Sequence, residues 1–159
     1  MNLQLTQAPV AKAAMLIRRP VAEVFEAFID PAITSRFWFT KSTGRLEAGK
    51  HVTWTWEMYE VSVEVEVKEI EPNKRILLDW GNQDGMTTVE WIFRAYGNDM
   101  TYVTITNSGF QGDGDKVAGD ALDSTGGFTW VLAGLKALLE HNIELNVIAD
   151  AFPKGLGES

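Results

Sequence analysis

Cysteine is absent from all 159 residues. That absence removes disulfides, thiolate nucleophiles, Cys-ligated zinc and iron–sulfur ligation together, and with them any redox chemistry borne by the chain's own thiols. Basic residues are also scarce: 14 Lys and Arg face 22 Asp and Glu, for a formal net charge of -8 and a pI near 4.7. Affinity for nucleic acid comes largely from Lys and Arg displacing counterions, so a nucleic-acid partner is not expected. Long apolar runs are missing too, and a membrane-spanning helix would need roughly 18 or more consecutive apolar residues. The opening stretch, Met1 to Val10, has neither the charged nor the apolar region of a secretory signal. Arg18-Arg19 is followed by Glu23, Glu26 and Asp30, where a twin-arginine signal requires an unbroken apolar stretch. The chain is therefore expected in the cytoplasm. Phosphate loops, Gly-x-Gly-x-x-Gly and Gly-x-Ser-x-Gly are absent as well, which argues against nucleotide binding through those motifs and against a serine triad.

What is present is patterning. At this length one domain is expected, with an ordered core over about residues 11–152. Ala13 to Arg18 reads as a strand, and Pro20 suits the first turn of a helix, where a missing N–H costs nothing. Val21, Val24, Phe25 and Phe28 then fall on one helical face. Asp30-Pro31 supplies a cap and a first-turn proline for a second short helix, expected to end near Arg36-Phe37-Trp38. Beyond Thr40 the period changes to two. Val52, Trp54, Trp56 and Met58 alternate with polar residues, as do Val61, Val63, Val65 and Val67, and then Ile76, Leu78 and Trp80. Val89, Trp91 and Phe93 continue the alternation, and a short Gly97-Asn98-Asp99 turn implies an antiparallel neighbour over Met100 to Asn107. Ser108 to Asp123 is glycine- and aspartate-rich, and Gly112 to Asp120 within it reads as a solvated loop that could lie over a pocket mouth as a lid. Asp123 or Ser124 is then expected to cap a final amphipathic helix of roughly 25 residues, with Phe128, Val131, Leu132, Leu135, Leu138 and Leu139 on its apolar stripe and Ile143 as a candidate end of it.

This order predicts an α+β fold: a curved antiparallel sheet of about seven strands wrapped on a long C-terminal helix, with two short helices after the first strand. Pro20 to Phe25, Phe37-Trp38-Phe39, Gly49, Ile70 to Arg75, Ser108-Gly109-Phe110 and Thr129 to Glu140 carry a resemblance over nearly the whole chain. In order and spacing they resemble the activator of Hsp90 ATPase homologue 1-like family, within the START-like (helix-grip, SRPBCC) superfamily. The resemblance implies a fold more firmly than an activity, since proteins on this scaffold bind lipids, hormones or polyketides or cyclise substrates. It also implies that Trp38 and Phe110 lie near a pocket mouth.

Six tryptophans are many for this length, and each brings a large apolar body with one N–H donor. Trp38, Trp54, Trp56, Trp80, Trp91 and Trp130 are candidate ligand contacts as well as candidate core. Met58, whose thioether adapts to irregular ligands, is placed with Trp54 and Trp56, and Leu135 is the helix's contribution. His51 and His141 have no His or Cys at ligand spacing, so neither a metal nor another cofactor is expected. Asp113-Gly114-Asp115 opens like a calcium loop but is followed by Val117 and Ala118 where that loop requires an oxygen ligand and a glycine. Glu90 and Arg94 alternate with Trp91 and Phe93, which puts them on the solvent face, and no catalytic residue is assigned.

The function expected is binding of an apolar or amphipathic small molecule in a cavity of a few hundred Å³ between the sheet and the last helix. A cavity-based cyclase or dehydratase is one alternative, requiring a titratable group inside. A chaperone-interacting domain is another, requiring a protein partner at an exposed patch, for which the acidic row Glu60, Glu64 and Glu66 is the hint. Sequence does not set the oligomeric state.

Overall fold

The computed structural model describes residues 4–156. Strand β1 (Ala11–Ile17) leads into helix α1 (Val21–Ile29), which buries Val24, Phe25 and Phe28, the face marked by the helical spacing. Asp30 closes α1 and opens helix α2 (Pro31–Thr34), its carboxylate accepting from the Ala32 N–H at 3.0 Å. Thr34 locks the corner by donating its hydroxyl to Ala27 O. Helix α2 is thus shorter than expected, and Phe37 and Trp38 emerge from the turn that follows it.

The sheet has seven strands, wholly antiparallel, in the order β1-β7-β6-β5-β4-β3-β2. Its remaining members are β2 (Lys41–Ser42), β3 (His51–Trp56), β4 (Val61–Glu71), β5 (Arg75–Asn82), β6 (Gly85–Tyr96) and β7 (Met100–Ser108). The alternation in sequence sets the register: Trp54 lies opposite Val63, Val65 opposite Trp80, Ile76 opposite Trp91, and Trp91 opposite Ile105. One face therefore carries the core, because residues two apart in a strand point the same way. The other face carries charge, including Arg75, whose guanidinium meets Glu90 at 2.6 Å and also pairs with Glu69. Those carboxylates hold the Arg75 pKa above its usual value, hydrogen bonding to Glu90 contributing most. Glu90 is indeed on the solvent side.

Helix α3 (Gly114–His141) crosses the apolar face with Phe128, Val131, Leu132, Leu135 and Leu138 buried beneath it. It is 28 residues long and starts ten residues before the sequence pattern suggested. The stretch read as a loop and lid is helical from Gly114 onward. Asp113 is its N-cap, accepting from the Lys116 N–H at 2.9 Å, and Lys116 pairs with Asp120 one turn on. Hence the aspartates of the supposed loop cap and brace a helix start. Two further departures matter for the site. Strand β3 stops at Trp56, and Glu57–Tyr59 form one turn of 3-10 helix closed by Glu60 in the left-handed conformation. After α3 ends at Asn142, also left-handed, a short helix α4 (Val147–Ala151) folds back, a feature the sequence pattern did not suggest. Among the described residues no helix is long and apolar enough to cross a membrane.

Candidate functional site

A cavity of about 450 Å³ lies between α3 and the apolar face of the sheet. Its inner wall is aromatic. Trp38 enters from the turn after α2, Trp56 from β3, Trp80 from β5 and Phe128 from α3, each placed inward by strand parity or by the helix stripe. Trp38 is the hub, with ring centroids 5.7 Å from Trp80, 5.8 Å from Phe128 and 6.1 Å from Trp56. Trp80 and Phe128 are 5.6 Å apart. Tilted and edge-on geometries dominate, the arrangement aromatic quadrupoles favour, so the wall has fixed shape.

The outer rim is built from Tyr59, Trp130 and Phe152, with Phe152 6.0 Å from each of the other two rings. Tyr59 donates its hydroxyl to Ile148 O at 2.5 Å, and the Tyr59 hydroxyl oxygen accepts from the Phe152 N–H at 3.3 Å. Helix α4 is thereby tied across the mouth. Trp130, 38% exposed, and Phe152 mark where the cavity meets solvent.

The missing side chain at Gly127 matters as much as those present. Gly126 and Gly127 sit in the middle of α3, where each glycine costs roughly 1 kcal/mol of helix stability relative to alanine. A Cβ at either would meet no atom within 4 Å, so close packing does not demand glycine there. Gly127 lines the cavity, and its bare backbone leaves volume that a side chain would fill. Gly134 differs: a Cβ there would come within 3.3 Å of Phe37 O, so that glycine serves the close approach of α3 to the turn after α2.

The polar part of the lining is small. Asn107 takes an inward position on β7 after Val103 and Ile105, and is 2% exposed. Its Nδ2 donates to Thr87 Oγ1 and to Thr88 O, both at 2.9 Å, while Oδ1 accepts from the Ser124 hydroxyl at 2.8 Å. Because Thr88 O can only accept, the amide orientation is determined. Asp123, next to Ser124 on α3, is exposed at the mouth. Among the described residues no Lys, Arg or His lines the cavity.

The structure distributes the residues singled out in the sequence among three places. Trp38, Trp56, Trp80 and Trp130 line the cavity together. Trp54, Trp91 and Leu135 are buried in the core behind it. Trp91 Nε1–H, enclosed near Phe28, Trp38 and Phe128, is the one buried side-chain polar atom without a hydrogen-bond partner among the described residues. Met58 does not share the face of Trp54 and Trp56: the 3-10 turn breaks the alternation, and its side chain is 37% exposed in a surface hollow with Glu60 and Pro153. Phe110 stands in a separate hollow with residues 4–9 and the start of α3 rather than in this cavity. Tyr59, Asn107, Gly127, Ile148 and Phe152 were not singled out. Of these, only Asn107 had a signal, as the polar member of an inward-facing β7 row.

His51 lies 3.3 Å from Glu64 on the charged face, and His141 is exposed at the end of α3. Among the described residues no group of three or more His, Asp or Glu side chains is placed to hold a metal.

A curved antiparallel sheet gripping one long helix over a cavity defines the helix-grip class. Within it, the family model described as activator of Hsp90 ATPase homolog 1-like protein matches residues 18–140, and the chain belongs to that family. No curated protein matches the chain. Among solved structures, SSP2350 from Staphylococcus saprophyticus is 28% identical with a TM-score of 0.74, over 86% of this chain and 96% of that one. DynU16, a protein of the dynemicin biosynthetic locus, is 20% identical with a TM-score of 0.75, over 85% of this chain but 48% of that one. The Aha1 dimer from Colwellia psychrerythraea is 16% identical with a TM-score of 0.71, over 84% of this chain and 97% of that one. At such identities the last two likenesses show the fold alone.

Proposed function

We propose that this protein binds an apolar or amphipathic small molecule in the cavity between α3 and the sheet, with Trp38, Trp56, Trp80 and Trp130 as its main contacts. The observation that carries this reading is the cavity of about 450 Å³ with an aromatic wall, kept open opposite a helix glycine that packing does not require. Its size and apolar lining suit a compact organic ligand. Catalysis of the cyclase kind has less support. Tyr59 and Asp123 are the only lining residues among those described with an acidic side chain; Asp123 is exposed at the mouth, and the Tyr59 hydroxyl is already engaged with Ile148 O. The inner wall offers no acid or base.

Native mass spectrometry of protein purified gently from its own host should show a discrete added mass that is lost on denaturation. In parallel, Gly127→Leu should weaken binding of the neutral dye Nile red at least about tenfold, the equivalent of about 1.4 kcal/mol, while leaving thermal stability equal or higher because leucine is the better helix former. An apo mass together with dye binding indifferent to Gly127→Leu would sink the reading.

A further inference from the structure

The lining also constrains the charge of the ligand. We infer that the cavity selects a protonated amine carried on a flat apolar body, with the body against the indole wall and the ammonium at Asp123 and Ser124; this deepens the binding reading above and rests on it.

The argument is a census of donors and acceptors at the polar edge. Both Asn107 amide hydrogens are engaged, on Thr87 Oγ1 and Thr88 O. The Ser124 hydroxyl donates to Asn107 Oδ1, and the Tyr59 hydroxyl donates to Ile148 O. What these groups still present to a ligand is lone pairs. Asp123 adds a carboxylate whose side chain makes no hydrogen bond or ion pair with any described residue. The other side-chain donors among the lining residues are indole N–H groups, which are uncharged. With no Lys, Arg or His in the lining, a carboxylate or phosphate would enter without a counter-charge, beside a carboxylate that repels it. A cation meets the opposite situation. It gains the Asp123 charge, and the lining it meets is rich in indole, the ring that attracts cations most strongly. Asp123 is exposed and water screens it, so the preference is moderate in size.

Three probes with one apolar body test this: naphthylmethylamine, naphthylmethanol and naphthylacetate, titrated calorimetrically into the full chain at neutral pH and low salt. The amine is expected to bind roughly tenfold more tightly than the acetate, with the alcohol between them. Asp123→Asn should bring amine and alcohol to within about twofold of each other and leave the alcohol unchanged, and added salt should narrow the wild-type gap in the same way. Acetate binding as tightly as the amine, or an amine preference untouched by Asp123→Asn, overturns the charge inference while leaving the cavity a binding site. Failure of all three to bind, with Nile red also indifferent to Gly127→Leu, overturns both.

Discussion

At the level of single residues, the three glycines of the middle of α3 carry different loads, and substitution should separate them. Gly126→Ala adds a methyl group into open space and removes the conformational freedom of glycine from the unfolded chain. It should raise stability by roughly 0.5–1 kcal/mol in urea denaturation. Gly134→Ala places its methyl 3.3 Å from Phe37 O and 3.4 Å from Phe37 Cβ, tighter than an ordinary van der Waals contact. The same helix-propensity gain is then opposed by steric displacement of the Phe37 turn, and the variant should fall at least about 1 kcal/mol below Gly126→Ala. Equal stabilisation by the two would mean that Phe37 yields freely and that α3 does not depend on the close approach. None of this was legible in the sequence, where all three are simply helix glycines. Met58 shows the opposite failure. Its place in an alternating row was clear, but Glu60 adopts the left-handed conformation and a 3-10 turn intervenes, so alternation ended one residue pair too early for the pattern to hold.

At the level of elements, the strands were the most legible part, because alternation of buried and exposed residues leaves a direct trace in β3 to β7. The beginning of α3 left none of that kind. Its first turns carry Gly114, Asp115, Lys116, Gly119 and Asp120, a composition that reads as loop, and only Val117 and Ala121 bury an apolar side chain there. Capping by Asp113 and the Lys116 to Asp120 pair supply what propensity does not. Helix α4 is still less visible: five residues long with no fully buried side chain, it is held through backbone carbonyls that accept from Tyr59. Tyr59→Phe keeps the ring and removes those bonds. Hydrogen exchange over residues 147–152 should then accelerate, while α3 and the sheet keep their protection, and global stability should change by no more than about 1 kcal/mol. Unchanged exchange in α4 would show that ring packing alone holds it over the cavity mouth.

Across the whole molecule, the sheet and α3 enclose the core, and one ionic clamp fastens the far end of α3 to the chain leaving β1. Glu140 Oε2 accepts from the Arg18 N–H at 2.7 Å and from Lys136 Nζ at 2.7 Å, and Lys136 also donates to Leu16 O at 2.9 Å. The Glu140 side chain is only 9% exposed. Burial alone would push its pKa up, and the Arg18 N–H, the Lys136 ammonium and the more distant His141 together outweigh that and hold it below the usual carboxylate value. A carboxylate with a lowered folded-state pKa binds its proton more readily in the unfolded chain, where glutamate titrates near about 4.3. Its contribution to stability is therefore complete above that value and disappears as pH falls through the lower folded-state pKa. Glu140→Gln removes the charge while keeping the shape. At neutral pH it should cost about 1.5–3 kcal/mol, the usual worth of hydrogen bonds to a charged group. Below about pH 4, where protonation begins to remove the same contribution from the native protein, the two stability curves should converge. Urea titrations of both proteins across that range decide it: a gap that stays constant down to strong acid would mean that Glu140 acts through packing and that its charge contributes nothing to joining α3 and β1.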